Sequence, residues 1–308
     1  MIVVAIDDDV LDESDIAEAL RIRLPDEQVV RFDDVVDFAA VDIAVVAKPA
    51  LGALTRFPNL RFVQSLWVGV NTLLAEAIPA HVLVARLVDS TMTSAMTLTV
   101  ASHVLALHHG HHHYRLDQSR SLWRPLPPVD PEDRTVLVLG LGALGLPAAT
   151  ALASLGFAVL GWSRTPKTEA FVTFNGPDGL HDALAQAQIV VNLLPLTTQT
   201  IGILDASAFA SLRPGAMLVN LGRGAHVDEG ALLQALADGS LEHAVLDVFC
   251  SEPLPPESPF WASDQVTITP HVAAQTGRRG AIDQSVEGVL AFRARQPITG
   301  LVDRSAGY

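Results

Sequence analysis

The sequence predicts an α/β fold of two doubly wound parallel-sheet domains, and three observations predict it. Short apolar runs alternate with helix-period segments over the first ninety-odd residues. A second such series runs from about residue 136 to residue 269, and a proline-dense stretch separates the two. The length of 308 residues also suits two domains at ~150 residues each.

The chain opens on the apolar run Ile2 to Ile6 followed by Asp7-Asp8-Asp9, with no basic segment ahead of it. This reads as a first strand rather than an export signal. Glu13 to Arg23 is helical in period, and further strands are expected at Ile43 to Ala47, Phe62 to Ser65 and Val82 to Ala85. Met92, Met96, Val100 and Val104 recur every fourth residue, which predicts a long helix with one apolar stripe that crosses between the domains. Trp123 to Pro131 holds four prolines and cannot form a regular element, so it is an exposed connection. The second series places strands at Val136 to Leu139, Ala158 to Gly161, Ile189 to Leu193, Ala216 to Asn220, Ala244 to Phe249 and Val266 to Thr269. Ile282, Val286, Val289 and Leu290 form the apolar face of a last helix that returns to the first domain.

Composition excludes several function classes. Twenty Lys plus Arg against thirty-four Asp plus Glu give a formal charge of -14, the wrong sign for holding a nucleic-acid backbone. The single cysteine, Cys250, forbids an internal disulfide and any multi-thiolate metal centre, and fits a reducing cytoplasm. Thr135 to Ser163 carries no formal charge over 29 residues, long enough to span a bilayer. Five glycines interrupt it, each costing a helix interior roughly 1 kcal/mol relative to Ala. The run is better divided into a strand, a helix from Ala143 to Leu155 and a second strand, so no membrane partner is expected.

Directly after the strand ending at Leu139 stands Gly140-Leu141-Gly142-Ala143-Leu144-Gly145, with helical period beyond it. Strand, glycine turn and helix together form the phosphate-binding fingerprint of dinucleotide sites, whereas the glycines alone would mark only a flexible turn. Gly140 permits the sharp turn, Gly142 lets backbone N–H groups approach a pyrophosphate, and Gly145 lets helix and strand pack closely. Six strands suit a dinucleotide fold. At the end of the following strand, Trp162-Ser163-Arg164-Thr165-Pro166-Lys167 lacks the carboxylate that binds the ribose of NAD. Ser163, Arg164 and Lys167 instead suit the extra phosphate of NADP, with NAD still possible; the plain alternative is that the two cations are solvated surface charges.

Three later segments each end a predicted strand: Leu218 to Gly224 with Arg223, Leu246 to Pro253 with Asp247 and Glu252, and Ile268 to Ala274 with His271. Guanidinium, carboxylate and imidazole thus converge on one sheet edge, where ligands of such sheets bind. Singly, each is more often a surface charge or a satisfied structural histidine.

With these segments in view, the sequence resembles the D-isomer-specific 2-hydroxyacid dehydrogenases, of the glyoxylate/hydroxypyruvate reductase A type, over almost the whole chain. The phrases that carry the resemblance are Trp162-Ser163-Arg164, Asn192-Leu193-Leu194-Pro195, Gly222-Arg223-Gly224, Leu246-Asp247-Val248-Phe249, Glu252-Pro253-Leu254-Pro255, Pro256-Glu257-Ser258-Pro259 and Pro270-His271-Val272-Ala273-Ala274, with Val302-Asp303-Arg304 and Gly307-Tyr308 near the end. The resemblance implies a Rossmann dinucleotide-binding domain, residues 96–274, inserted in a flavodoxin-like substrate domain, residues 1–95 and 275–308. It implies reduction of a small 2-keto acid such as glyoxylate or hydroxypyruvate to the D-2-hydroxy acid by a nicotinamide cofactor. His271 would be the general acid, Glu252 would orient it and favour imidazolium, and Arg223 would clamp the substrate carboxylate. Trp67, Val68 and Gly69 would bind that carboxylate through a backbone loop. Gly140, Gly142, Ala143, Leu144, Gly145, Ser163, Arg164, Lys167, Leu194, Pro195, Leu221, Asp247, His271 and Ala273 would line the cofactor, with Asp247 holding the nicotinamide carboxamide. A homodimer built on the dinucleotide domain is also implied.

The chain departs from the family pattern at the substrate loop, where Trp67 replaces a glycine and Asn71 an aspartate. Trp67 either narrows the site or packs under the loop. Lys48 either faces the cleft or is a solvated lysine. Cys250 reads as a small buried thiol rather than a nucleophile. His108, His109, His111, His112 and His113 lack a nearby carboxylate or cysteine to complete a metal shell, so no functional metal site is expected there. The competing function is a nicotinamide-sensing, corepressor-like module without turnover. A formate-oxidising relative would carry Gln at Glu252, and a serine-synthesis relative would carry a further regulatory domain.

Overall fold

The structure, a computed structural model, describes residues 1–7, 11–50, 52–74, 78–88, 90–274 and 277–303; of the phrases above, Arg304, Gly307 and Tyr308 lie outside the described residues. The chain divides into two compact units, residues 1–92 with 276–308, and residues 93–275. The first unit holds β1 (Ile2–Ile6), α1 (Glu13–Arg23), β2 (Val29–Arg31), β3 (Ile43–Ala47), β4 (Phe62–Ser65), α2 (Asn71–Leu74) and β5 (Leu83–Ala85). After α3 (Ser90–His108), the second unit continues with α4 (His111–Ser119), β6 (Thr135–Leu139), α5 (Gly145–Ser154), β7 (Ala158–Ser163), β8 (Val172–Asn175), α6 (Gly176–Leu184) and β9 (Ile189–Asn192). It ends with α7 (Ala206–Ala210), β10 (Ala216–Asn220), α8 (Glu229–Asp238), β11 (Leu241–Leu246) and β12 (Val266–Ile268), and α9 (Arg278–Ala294) belongs to the first unit again.

The first sheet runs β2-β1-β3-β4-β5 and the second β12-β11-β10-β9-β6-β7-β8, with every strand pair parallel. Central strands of such sheets are covered on both faces, which is why they are apolar throughout instead of alternating. In β1, Ile2 and Val4 pack into one cluster with Ile16, Leu20 and, from α9, Ile282, Val286 and Val289, while Val3 and Ala5 pack into another with Ala44 and Val46. In β6, Leu137 and Leu139 face one cluster and Val136 and Val138 the other. The same β6 cluster takes Met96, Val100 and Val104 of α3, so the predicted stripe is the buried face of that helix.

The sequence missed β2 and β8. Both are edge strands of three or four residues, and β8 has exposed ends, so neither shows a buried apolar run. The expected strand at Ala244 to Phe249 is shifted: β11 starts at Leu241, just after the left-handed Gly239, and stops at Leu246. Val248 and Phe249 are buried within the following loop, which extended the apolar pattern beyond the strand. On α9, Leu290 is 54 % exposed, a correction to the predicted face; it lies about 100° around the helix from Val289. The uncharged run resolves into β6, α5 and β7, and among the described residues no helix is long and apolar enough to cross a membrane. The proline-dense stretch is irregular from 122 to 130 and Trp123 is almost fully exposed, while Arg124 anchors the stretch by a two-pronged hydrogen bond to the buried Asp117 (2.8 and 3.1 Å). In the first unit, α9 is tied to the start of the chain by Arg293, which bonds Glu27 and Asp42 together.

Candidate active site

The register of the second sheet builds one edge. Leu139 lies opposite Trp162 and Asn192, Asn192 opposite Asn220, Asn220 opposite Leu246, and Leu246 opposite Ile268. Six strands therefore end in a row, and their loops carry Gly140, Ser163, Leu194, Arg223, Asp247 and His271 side by side. Strand order reverses between β6 and β9, the position where open α/β sheets bind ligands.

The glycine loop after β6 has the shape a dinucleotide requires. Gly140 has φ +98°, a conformation that L side chains rarely adopt. At Gly145 a Cβ would sit 1.8 Å from the Gly140 carbonyl oxygen, so the helix can pack on the turn only with glycine there. Around Gly142 nothing lies within 4 Å of a Cβ position, leaving open space beside the backbone. Ala143 is exposed beside it, and Leu144, the N-cap of α5, has no side-chain acceptor for the first helical N–H groups. The Leu146 N–H donates to the Gly142 carbonyl (3.1 Å) and Pro147 has no N–H, so the backbone that can meet an anion is the Gly145 N–H with the loop before it. At the end of β7, Ser163 is buried with its hydroxyl donating to the Thr165 carbonyl (2.7 Å), and Arg164 and Lys167 are exposed on the next turn. The residues present fit a phosphorylated dinucleotide.

At the other end of the row, His271 Nδ1 lies 2.7 Å from Glu252 Oε2, and the Phe249 N–H donates to Glu252 Oε1 at 3.0 Å. Burial raises the Glu252 carboxyl, but the hydrogen bonds from His271 and Phe249 and the charges of His271 and Arg223 outweigh it and hold the group below its ordinary value. An ionised Glu252 makes Nδ1 the protonated nitrogen and leaves Nε2 for exchange. Arg223 follows β10, partly buried, its Nη1 donating to the Gly222 carbonyl at 2.7 Å. Burial lowers its guanidinium and the nearby Glu252 opposes that shift. The next residue, Gly224, is pressed against Phe249, where a Cβ would come within 1.9 Å of the carbonyl carbon.

A buried polar network holds the arginine turn from below. His226 Nδ1 accepts from the Arg223 N–H (3.1 Å) and from Asn192 Nδ2 (2.9 Å). Asn192 also donates to Asn220 Oδ1 (2.9 Å), and Asn220 donates to the Arg223 carbonyl (3.3 Å). Asn192 Oδ1 in turn accepts from the Leu194 N–H. Because Nδ1 is an acceptor twice over, the imidazole is neutral; burial, aided by the charge of Arg223, pushes His226 from 6.5 to about 4.

Residues 101–273 match the family model described as D-isomer specific 2-hydroxyacid dehydrogenase, NAD binding domain. The chain is 41% identical over 293 residues to a glyoxylate/hydroxypyruvate reductase A of Serratia proteamaculans, covering 93% of each chain.

The chain belongs to the D-isomer-specific 2-hydroxyacid dehydrogenases.

Among solved structures of this family, one from Xanthobacter autotrophicus in complex with NADPH and MES is 39% identical with a TM-score of 0.93 over 99% of both chains. An NADPH-dependent glyoxylate/hydroxypyruvate reductase from Sinorhizobium meliloti, in complex with NADP and sulfate, is 34% identical with a TM-score of 0.92, covering 100% of this chain and 99% of that one. The second sheet of this dehydrogenase is accordingly a Rossmann sheet.

Within this dehydrogenase, Asp247 is 1 % exposed and both its oxygens are engaged. Oδ1 accepts from the Thr269 hydroxyl (2.6 Å) and the Val272 N–H (2.9 Å), and Oδ2 from the Ala273 N–H (2.9 Å). Its carbonyl accepts the His271 N–H at 2.8 Å. Asp247 is thus the anchor of the turn that presents His271, itself held at φ +55°. Ala273 and Leu221 are buried beneath the edge, and Pro195 is exposed at it. In the first unit, Trp67, Val68 and Gly69 follow β4 and are partly buried. Trp67 packs against the core that contains Leu66 and Phe62, its N–H donates to Ser65 Oγ (3.0 Å), and Lys48 Nζ stands 5.9 Å from its ring centroid. Lys48 therefore has an aromatic partner rather than solvent alone.

Two expectations are corrected. Cys250 is exposed, not buried, yet partial burial together with Glu229 and Asp228 pushes its thiol up to about 11, which leaves it unreactive. The histidine stretch does meet a carboxylate, because the parallel sheet brings Glu242 of β11 to His112 and His113. His226 and Asn220 escaped the sequence reading altogether. The signal was present as two apolar strands that each end in asparagine, Val190-Val191-Asn192 and Leu218-Val219-Asn220.

Gly142→Ala will leave the thermal midpoint near that of the unsubstituted chain while weakening NADPH binding, measured by fluorescence titration. Gly145→Ala will lose stability by about 1–3 kcal/mol, the cost of overpacking. Since the folded state keeps His226 neutral down to about 4 while the unfolded chain protonates near 6.5, its contribution is complete above pH 6.5 and lost as pH falls towards 4. Urea unfolding of His226→Asn will therefore show a pH slope in that window shallower by up to about 1.4 kcal/mol per pH unit; parallel slopes would refute the neutral imidazole.

Proposed function

We propose that this dehydrogenase reduces a small 2-keto acid, glyoxylate, hydroxypyruvate or a close relative, to the D-2-hydroxy acid with NADPH as preferred reductant. The observation that carries the reading is the His271–Glu252 pair at 2.7 Å, on the same sheet edge as Arg223 and the glycine loop. Reductase names on the relatives support it as well, whereas nothing there favours a corepressor-like module.

Reduced nicotinamide, when bound, supplies the hydride. Arg223 receives the substrate carboxylate and places positive charge beside the carbonyl oxygen as negative charge develops there. His271 Nε2 delivers the proton to that oxygen, and Glu252 stabilises the imidazolium before transfer and keeps the ring in one orientation. The network through His226 fixes the Arg223 backbone, so the guanidinium meets the acid in a prepared position. In the first unit, Val68 and Gly69 offer backbone N–H groups to an acid, whereas Trp67 has its own N–H held by Ser65 Oγ and packs on the core. Residues 1–95 and 275–308 serve as the substrate domain and residues 96–274 as the dinucleotide domain. Leu194, Pro195, Leu221 and Ala273 line the cofactor; Asp247 would have to share Oδ2 between the Ala273 N–H and the nicotinamide carboxamide. The protein acts in the cytoplasm as a homodimer built on the dinucleotide domain, and light scattering on the purified chain tests the dimer.

Charge selects the cofactor. Two charge-assisted contacts to a 2'-phosphate, at ~1.5–3 kcal/mol each, amount to roughly two decades or more of preference. Arg164→Ala will raise KM for NADPH far more than for NADH; equal effects would remove the assignment. His271→Ala will lower kcat by roughly 10²–10⁴ with NADPH binding nearly unchanged, and an undiminished kcat would refute its role. A panel of 2-keto acids followed by reduced-cofactor absorbance tests the function as a whole, and absence of turnover with every acid would favour the sensor.

A further inference from the structure

We propose that His112, His113 and Glu242 form a binding site for a divalent transition ion of the zinc class, on the dinucleotide unit and away from the reductase chemistry. His112 Nε2 lies 2.9 Å and His113 Nε2 2.8 Å from the same oxygen, Glu242 Oε1, and the three donor atoms all fall within 4.8 Å of one another. Neighbouring residues on a helix diverge by about 100°, so two adjacent imidazoles do not ordinarily meet. Here they tilt together, with ring centroids 4.1 Å apart, on the first turn of α4.

The position is distinct from the edge described above. Glu242 is the second residue of β11, whereas the loops bearing Asp247 and His271 follow the other ends of β11 and β12. At about 3.3 Å per residue, the four residues from Glu242 to Leu246 separate the two by roughly 13 Å along the strand. The His112 side chain is 8 % exposed, and those of His113 and Glu242 are 37 % exposed, so the trio is anchored on one side and reachable on the other. A cleft of about 320 Å³, lined by His112, His243 and Asp264 among others, adjoins it.

The donor set decides the class of ion. Two imidazole nitrogens and one carboxylate oxygen suit zinc, nickel or copper, whereas magnesium and calcium take oxygen ligands. Three protein ligands leave a fourth tetrahedral position for water, and donors already within 4.8 Å need only small ring rotations to reach the usual ~2.0–2.2 Å from a shared ion. On binding, each ring exchanges its Nε2 hydrogen bond to Glu242 for the metal and carries its proton on Nδ1, which in His112 is buried without a hydrogen-bond partner; no co-reactant is needed.

The test uses the full chain without an affinity tag, stripped with chelator and titrated with zinc by calorimetry, with cobalt(II) absorption as a second readout. The expected result is one zinc per chain, at micromolar or tighter dissociation constant, with the visible bands of four-coordinate cobalt and no uptake of magnesium. Glu242→Gln and His113→Gln will each weaken zinc by more than the roughly 10–100-fold that losing an outer hydrogen-bond partner costs, while His109→Gln and His111→Gln will bind as the unsubstituted chain does. Failure of that chain to take up one zinc, equal uptake of magnesium, or undiminished binding in both Glu242→Gln and His113→Gln would overturn the site. The titration of the unsubstituted chain decides the matter even if a variant fails to fold.

Discussion

In-register parallel pairing is the constraint on which the rest of the second unit depends. Parallel strands all finish on the same side, so six separate loops reach one edge without any contact between them being encoded locally. Glycine turn, serine–arginine turn, arginine turn and histidine turn come from residues spread over 130 positions of chain. Their meeting follows from strand length and register.

The polar groups beneath that edge then act on backbone rather than on ligands. Asp247 collects two N–H groups and a hydroxyl from the turn carrying His271, and the neutral His226 with Asn192 and Asn220 holds the turn carrying Arg223. Asp247, Asn192 and Asn220 and the Nδ1 of His226 are all hydrogen-bonded, which leaves these turns few alternative arrangements. The exposed pair His271–Glu252 and the arginine can therefore be presented to solvent without being loose. Rigidity below and accessibility above are the two properties that acid catalysis with a clamped carboxylate demands.

Much of the fold was legible because the central strands are buried on both faces and so appear as unbroken apolar runs. Edge strands β2 and β8 were not, since a strand with one neighbour and one wet face need not be apolar. The candidate site was legible to the extent that its residues sit in recognisable phrases: Gly140 to Gly145, Gly222-Arg223-Gly224, Glu252-Pro253, Pro270-His271. His226 was not, because a lone histidine two residues after Gly224 carries no pattern, and its side-chain partner Asn192 lies 34 positions away.

Sequence alone determined the fold class, the glycine turn and the contiguous phrases that hold His271, Glu252 and Arg223, because each is written in a single stretch of chain; the roles of those three residues are what the family resemblance implies. Only the tertiary structure decided that Asp247 anchors the histidine turn, that Trp67 packs on its own core, and that Glu242 meets His112 and His113. Those contacts join residues from different strands, helices and loops, and their existence depends on register and crossover geometry, which no single stretch of sequence contains.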